Sequence, residues 1–239
     1  MSDTFAVLNA AAPASPMTND TPEARSTSYG FSPSIVALVS EASPQADAIR
    51  ALRTHIMARH FNLGRRSLAI CAPSAGVGSS FIATNLAVGL SQIGVKTLLI
   101  DADLRRPAIE RLIRPPGPRG GLVQALRSND MAFAANIDPN VLPNFSIMYA
   151  GQAASNAQEL LATERFQILM NYCLREFDAT IVDTPAANMS SDARRISGVV
   201  GYSLIVAAKN MTFLKDITTL SEQLHADKAI VIGTVMNRA

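Results

Sequence analysis

The sequence predicts a doubly wound α/β fold built on a mainly parallel sheet. Short runs of β-forming apolar residues alternate with helical patterns along residues 34–239, the order expected of a layered α/β domain. The runs are continuous rather than alternating, which marks strands covered on both faces. With 48% apolar and 17% charged residues the chain can fill such a core, and neither global disorder nor a coiled coil fits.

In chain order, residues 1–33 show no sustained period, and Ala, Pro, Ser and Thr supply 19 of them. They are expected to form a flexible tail. The folded domain then comprises residues 34–239. Residues 67–72 (SLAICA) read as a buried strand, followed by a small-residue loop and a helix over about 80–94. A second strand is expected over 96–103 (KTLLIDAD), and Pro107 is placed to start a short helix through its fixed φ. Residues 144–150 read as a strand and 159–177 as one long amphipathic helix. Strands over 179–183 and 202–208, a helix over 212–226 and a strand over 229–236 complete the pattern.

Composition removes several functions. Trp is absent, aromatics are 5% and the net charge is +2, which argues against a nucleic-acid partner. Cys71 and Cys173 lie in apolar runs and form no CxxC or Cys/His cluster, so neither a disulfide framework nor a zinc site is expected. No run reaches the roughly 18–20 apolar residues of a membrane span. The first basic residue is Arg25, so the start of a signal peptide is missing too. A cytoplasmic protein is expected, reaching a membrane only through a partner. Lysines number four, at 96, 209, 215 and 228, against 17 arginines.

The chemistry gathers at the expected carboxyl ends of strands, where such sheets bind ligands. The first strand leads into Ala72-Pro73-Ser74-Ala75-Gly76-Val77-Gly78-Ser79-Ser80. A glycine turn between strand and helix aims backbone amides and the positive helix end at an anion. Ser80, in the first helical turn, is where a phosphate loop holds Mg²⁺. The strict GxxxxGK[ST] pattern fails twice, with Pro73 at its first glycine and Ser79 at its lysine. The loop alone reads equally well as a tight strand–helix connection. Asp101 and Asp103 close the second strand, and Asp183 closes the strand ATIVD. Each alone is read as ordinary, Asp103 as a cap of the Pro107 helix and Asp183 as a turn residue. Together near a phosphate loop they suit a metal–nucleotide site.

These residues resemble the cytoplasmic domain of bacterial tyrosine kinases (BY-kinases) of capsule and exopolysaccharide synthesis, in the MinD/ParA-like phosphate-loop group. The resemblance rests on DAIRALRTHI (47–56), APSAGVGSSFIATNLA (72–87), LLIDADLRRP (98–107), GGLVQAL (120–126), SNAQELLATERF (155–166), FDATIVDTPAA (177–187) and MNR (236–238). It implies a sheet of the P-loop NTPase type, with ATP or ADP and Mg²⁺ as ligands. Gly76, Val77, Gly78, Ser79 and Ser80 would form the nucleotide loop and Asn237 would lie near the adenine. Ser80, Asp101 and Asp183 would serve the metal, and Asp101 and Asp103 catalysis. Asp47, Arg50 and Arg53 match an ExxRxxR motif through which such domains join into rings, here with Asp for Glu; without the resemblance they read as a solvated ion pair. The implied partner is a membrane polysaccharide co-polymerase that recruits the protein to the inner face of the cell membrane.

The departures shape the function expected. Ser79 replaces the lysine, and a neutral hydrogen bond is roughly half as strong as a charged one. Lys96 lies at the opposite edge of the sheet, and Arg105 is placed near the loop only by its motif. Arg105, Arg106, Arg111, Arg114 and Arg119 read as a basic stripe without an assigned partner. The four tyrosines (29, 149, 172, 202) are scattered, and no tyrosine-rich tail follows the last strand. The expected function is nucleotide-binding regulation of exopolysaccharide polymerisation and export with weak or no kinase activity. An active tyrosine kinase and a nucleotide-free scaffold are its rivals.

Overall fold

The computed structural model describes residues 28–39 and 43–237. The strands are β1 (Gly30–Phe31), β2 (Ser67–Cys71), β3 (Thr97–Asp101), β4 (Ile113–Arg114), β5 (Asp138–Leu142), β6 (Phe145–Met148), β7 (Ala179–Asp183), β8 (Tyr202–Ala208) and β9 (Ile230–Asn237). The helices are α1 (Val36–Val39), α2 (Pro44–Arg59), α3 (Ser79–Gln92), α4 (Ile109–Leu112), α5 (Leu122–Arg127), α6 (Ala157–Leu161), α7 (Glu164–Glu176), α8 (Asp192–Val200) and α9 (Leu214–Ala226). The main sheet runs β5-β6-β3-β7-β2-β8-β9. Every neighbouring pair in it is parallel except β5–β6.

Side-chain alternation along the strands feeds two cores. Leu68, Ile70, Leu99, Ile147, Ile181 and Val206 face α2 and α3, packing on Ile49, Ile82, Leu86 and Leu90. Ala69, Cys71, Leu98, Ile100, Val182 and Ile205 face the other way, onto Leu122, Phe166, Leu169, Ile196 and Leu224. Both faces are therefore covered by helices, and the central strands β2, β3 and β7 are buried at every position.

Several expectations change. Residues 1–27 of the expected tail lie outside the described residues, but the fold already includes Gly30 and Phe31, which pair with Arg114 and Ile113. A single helix over 159–177 is replaced by α6 and α7. Thr163 is extended (φ −72°, ψ 150°) and its hydroxyl donates to Leu160 O, an alternative to helix continuation. The second strand stops at Asp101 rather than 103, and the short helix starts at Ile109, two residues after Pro107.

Candidate functional site

β2 ends at Cys71 and the chain turns through residues 72–78 into α3. Gly76 (φ 82°) and Gly78 (φ 88°) are left-handed, a region costly for residues with a Cβ. Val77 between them is buried in the α2–α3 core and pins the loop. Gly78 occupies the N-cap of α3 and brings no side-chain oxygen, so the first-turn amides are left for a ligand. A Cβ on Gly78 would stand 2.3 Å from Asn237 Nδ2. That nitrogen donates to Val77 O at 3.0 Å, so Asn237, at the end of β9, closes the loop from one flank. On the other flank the β7–α8 connection braces it: Ala187 N and Asn188 N donate to Ala72 O and Pro73 O at 2.9 and 3.1 Å. Ser79 and Ser80 open α3 and are half-buried.

The three acids part company. Asp101 and Asp183 are both fully buried and sit in register on β3 and β7. Asp101 Oδ2 accepts the amides of Ala108 and Ile109, each at 3.0 Å, and its Oδ1 accepts Asp103 N at 3.2 Å. Asp101, expected to serve metal and catalysis, thus holds the turn that follows β3 and caps α4, the role considered for Asp103. Burial still pushes its carboxyl up to about 7, the three amides opposing and Asp103 adding to the rise. Asp103 lies past the strand end, where the two-residue period no longer aims it alongside Asp101. Its Oδ1 accepts the amides of Arg105 and Arg106 at 3.1 and 2.9 Å.

Asp183 is the unresolved charge. Neither carboxylate oxygen has a hydrogen-bond partner among the described residues. Burial raises its pKa well above the ordinary carboxylate value and the Asp101 charge adds to that. The Ser80 hydroxyl and the Thr184 amide are near enough to pull the other way, neither completing a hydrogen bond. Among the described residues no three His, Cys or acidic side chains converge as a ready metal cage. A Ser hydroxyl and one carboxylate beside a glycine loop is the sparse kind of set that Mg²⁺ uses when phosphate oxygens and water complete its shell.

Beyond the loop lies a cavity of about 400 Å³ lined by Ala75, Asp103, Arg105, Arg106, Ser155 and Ser190 among others. Sequence reasoning missed the residue that shapes it. Asp192, at the start of α8, is 1% exposed and its Oδ2 accepts Arg105 Nε at 2.9 Å. The acid in a first helical turn after Ser190-Ser191 was the available signal. The structure does not bring Asp47, Arg50 and Arg53 to this site. They lie on α2, where Asp47 pairs with Arg50 at 2.5 Å and Arg53 Nη1 donates to Gly89 O of α3 at 3.2 Å.

No family profile matches the chain. It is 31% identical over 193 residues to the tyrosine-protein kinase ptk of Acinetobacter johnsonii, covering 80% of this chain and 26% of that protein's length. CapB of Staphylococcus aureus is 26% identical over 193 residues, 81% of this chain and 84% of CapB. The kinase domain of the Escherichia coli tyrosine kinase ETK superposes with a TM-score of 0.81 at 27% identity, over 92% of this chain and 84% of that one. The Pyrococcus furiosus cell division ATPase MinD shares the fold at a TM-score of 0.62 and 22% identity, over 73% of this chain and 72% of its own.

Proposed function

We propose that this chain, whose homologues are bacterial tyrosine-protein kinases on a MinD/ParA-like P-loop fold, is a nucleotide-binding regulator of exopolysaccharide polymerisation and export with weak or no kinase turnover. The observation that carries the reading is the buried Asp183, its two oxygens unpartnered, set beside a glycine cradle that has no lysine. A buried charge without partners is costly unless a cation completes it. Mg²⁺ bound with ATP or ADP fits that need, and the cradle in which a Gly78 Cβ would collide with Asn237 fits the phosphates.

When bound, Mg²⁺–nucleotide supplies the phosphoryl group and most of the charge stabilisation of its transfer. Gly76, Gly78 and the first amides of α3 receive the phosphate oxygens. Ser80 and Asp183 hold the metal, Asp183 through water or directly. Asn237 holds the loop in shape at the flank assigned to the base. Asp101 fixes the 103–109 turn, and Asp103, bordering the cavity, is the acid placed to take a proton from an acceptor hydroxyl. Ser79 offers the phosphates one neutral hydrogen bond where a lysine gives a charge, so bound nucleotide is held but its transfer is poorly stabilised.

Acceptor supply points the same way. Of the four tyrosines, Tyr149 is buried, and Tyr29, Tyr172 and Tyr202 are half-buried. Tyr29 donates to Asp138 at 2.9 Å, and Tyr202 packs edge-on to His60 with Arg65 over its ring. The partner is a membrane protein of the polysaccharide co-polymerase type, which would bring this chain to the inner membrane face, with self-association through α2. Among the described residues no helix is long and apolar enough to cross a membrane. The active-kinase reading draws on the homologues and on Asp103 at the cavity. Calorimetric titration with ADP and ATP in Mg²⁺, paired with a phosphotyrosine assay with and without the co-polymerase, tests all three. Binding without phosphotyrosine supports the proposal, phosphotyrosine supports the kinase, and no binding supports the scaffold.

A further inference from the structure

The phosphate loop lacks its own cation, and few neighbouring cations are placed to replace it. Lys96 precedes β3, at the edge of the sheet opposite the loop, and its ammonium lies over the Phe177 ring. Lys209 follows β8, tied by its backbone to Asn237, and does not line the cavity beyond the loop. The cations that do line it, together with Ala75 of the loop, are Arg105 and Arg106. Both stems leave a turn fixed by Asp103 Oδ1, which accepts both of their amides.

Of the two, Arg105 alone has its side chain held among the described residues. Asp192 Oδ2 takes its Nε–H at 2.9 Å, from a carboxylate that is 1% exposed. The other oxygen of Asp192 is buried and has no partner among the described residues, so this carboxylate depends on Arg105 for its counter-charge. A guanidinium gripped at Nε keeps its two terminal nitrogens as a free, planar edge, the edge that takes two phosphate oxygens at once. The side chain remains 39% exposed, so that edge is open to a ligand. The loop amides cradle the inner phosphates of a nucleotide, and the P-loop lysine normally reaches the outer ones. The cavity that Arg105 lines adjoins the loop at Ala75, so an outer phosphate extending past the cradle on that side would meet it.

We propose that Arg105, clamped by Asp192, is the phosphate-binding cation of this site: it receives the terminal phosphate of a nucleoside triphosphate in place of the missing loop lysine. The proposal rests on the nucleotide reading above and deepens it. Asp192 is then a positioning residue that fixes the guanidinium without touching the nucleotide. No bond is made or broken, and the gain is selective affinity for the triphosphate.

The test is calorimetric titration of the full chain with Mg²⁺–ADP and with a Mg²⁺–ATP analogue that cannot be hydrolysed. Arg105→Gln should lower analogue affinity by about 10- to 100-fold, the loss of a charged hydrogen bond, while ADP affinity changes by less than about 3-fold. Asp192→Asn, which keeps an acceptor for Nε but removes the charge, should give a smaller loss with the same selectivity. In a Ser79→Lys background the Arg105→Gln loss should shrink, because a loop lysine reaches the same oxygens. Lys209→Gln should leave the selectivity between the two nucleotides unchanged. A merely structural pair would instead lower thermal stability and weaken both nucleotides together. That result overturns the proposal, as does an undiminished loss in the Ser79→Lys background or selectivity that follows Lys209. Should Arg105→Gln fail to fold, Arg105→Lys serves, with an intermediate and equally selective loss expected. Wild-type protein that binds neither nucleotide would overturn the nucleotide reading itself, a result distinct from binding that ignores Arg105.

Discussion

Replacing Asp183 by asparagine should stabilise the nucleotide-free protein and weaken its hold on Mg²⁺–nucleotide. The side chain keeps its shape and loses a charge that is fully buried with both oxygens unpartnered. Leaving a buried polar group unsatisfied costs about 1–3 kcal/mol, and more when it is charged, so a gain of at least that order is expected at pH 8. For a chain of this size about 1 kcal/mol moves the melting temperature by roughly 2–4 °C, which gives a rise of roughly 2–12 °C. The sign depends on pH. The folded carboxyl titrates well above its ordinary value, whereas the unfolded one titrates at about 3.9. As pH rises through that lower value the unfolded chain gives up its proton first, the native state holds more protons, and stability falls. The fall ends when pH passes the folded value. The wild type should therefore melt lower at pH 8 than at pH 5, and the gain from Asp183→Asn should be small at pH 4 and grow as the pH rises toward the folded value. Asp101, raised to about 7, has the same sign and leaves a residual slope in the variant that ends near that pH. With Mg²⁺–ADP at 100 times its dissociation constant the wild type should gain about 2.7 kcal/mol, and the variant, lacking the carboxylate proposed to hold the metal, should gain less. Differential scanning fluorimetry across pH with and without Mg²⁺–ADP reads every arm. A variant less stable than wild type at pH 8, or a wild type indifferent to pH, would refute the reasoning.

Ser79→Lys should tighten both ADP and ATP by roughly 10- to 150-fold, the worth of a charged hydrogen bond, as measured by calorimetry. Tyrosine phosphorylation need not appear with it, since the four tyrosines stay half-buried or buried. Gly78→Ala combines a left-handed φ of 88° with a Cβ 2.3 Å from Asn237 Nδ2, so nucleotide titration should show binding lost and thermal melting a drop in stability. The double variant with Asn237→Ala should recover part of the stability. Arg50→Ala with Arg53→Ala should shift sedimentation toward monomer; Arg53 also holds Gly89 O, so about 1 kcal/mol of stability should go with it. A wild type that stays monomeric at high concentration with nucleotide would remove the ground for self-association through α2.

The strands were legible where the chain is apolar without interruption. β7 and β8 fall on the residues expected, because ATIVD and YSLIVAA are covered on both faces. The expectation failed where a side chain overrides the pattern. Asp101 captures three amides and ends β3 two residues early, and the Thr163 hydroxyl divides α6 from α7. β5 (DPNVL) carries a proline and an exposed middle, so it shows neither alternation nor a continuous run. Its place at the sheet edge makes both tolerable. In the candidate site the loop glycines and the strand-end acids could be read as residues, but not as states. That Asp101 is satisfied and Asp183 is not depends on which amides the 103–109 turn delivers. Arg105 and Asp192 lie 87 residues apart, so their pairing exists only once β3 and β7 are adjacent.

Two aspartates opposite each other in register pose one electrostatic problem, and this fold solves it on one side only. Asp101 is surrounded by main-chain amides, a solution any well-folded turn can supply. Asp183 could have been relieved in the same way, because the β7–α8 connection runs directly beside it. That connection instead directs the amides of Ala187 and Asn188 to Ala72 and Pro73, bracing the loop and leaving the carboxylate without a completed hydrogen bond. Asp192 repeats the pattern, with one oxygen on Arg105 and the other unpartnered. Unsatisfied buried acids are rare in folded proteins because each one lowers stability. Here one sits in register with Asp101 at the end of β7, and the other holds an arginine that shares a cavity with Ala75 of the loop. Local packing does not account for that coincidence, since a threonine or an alanine would fill either position without a charge. A cation at Asp183 and a clamped guanidinium at Asp192 would account for both, and would give the loop back the positive charge that Ser79 does not provide.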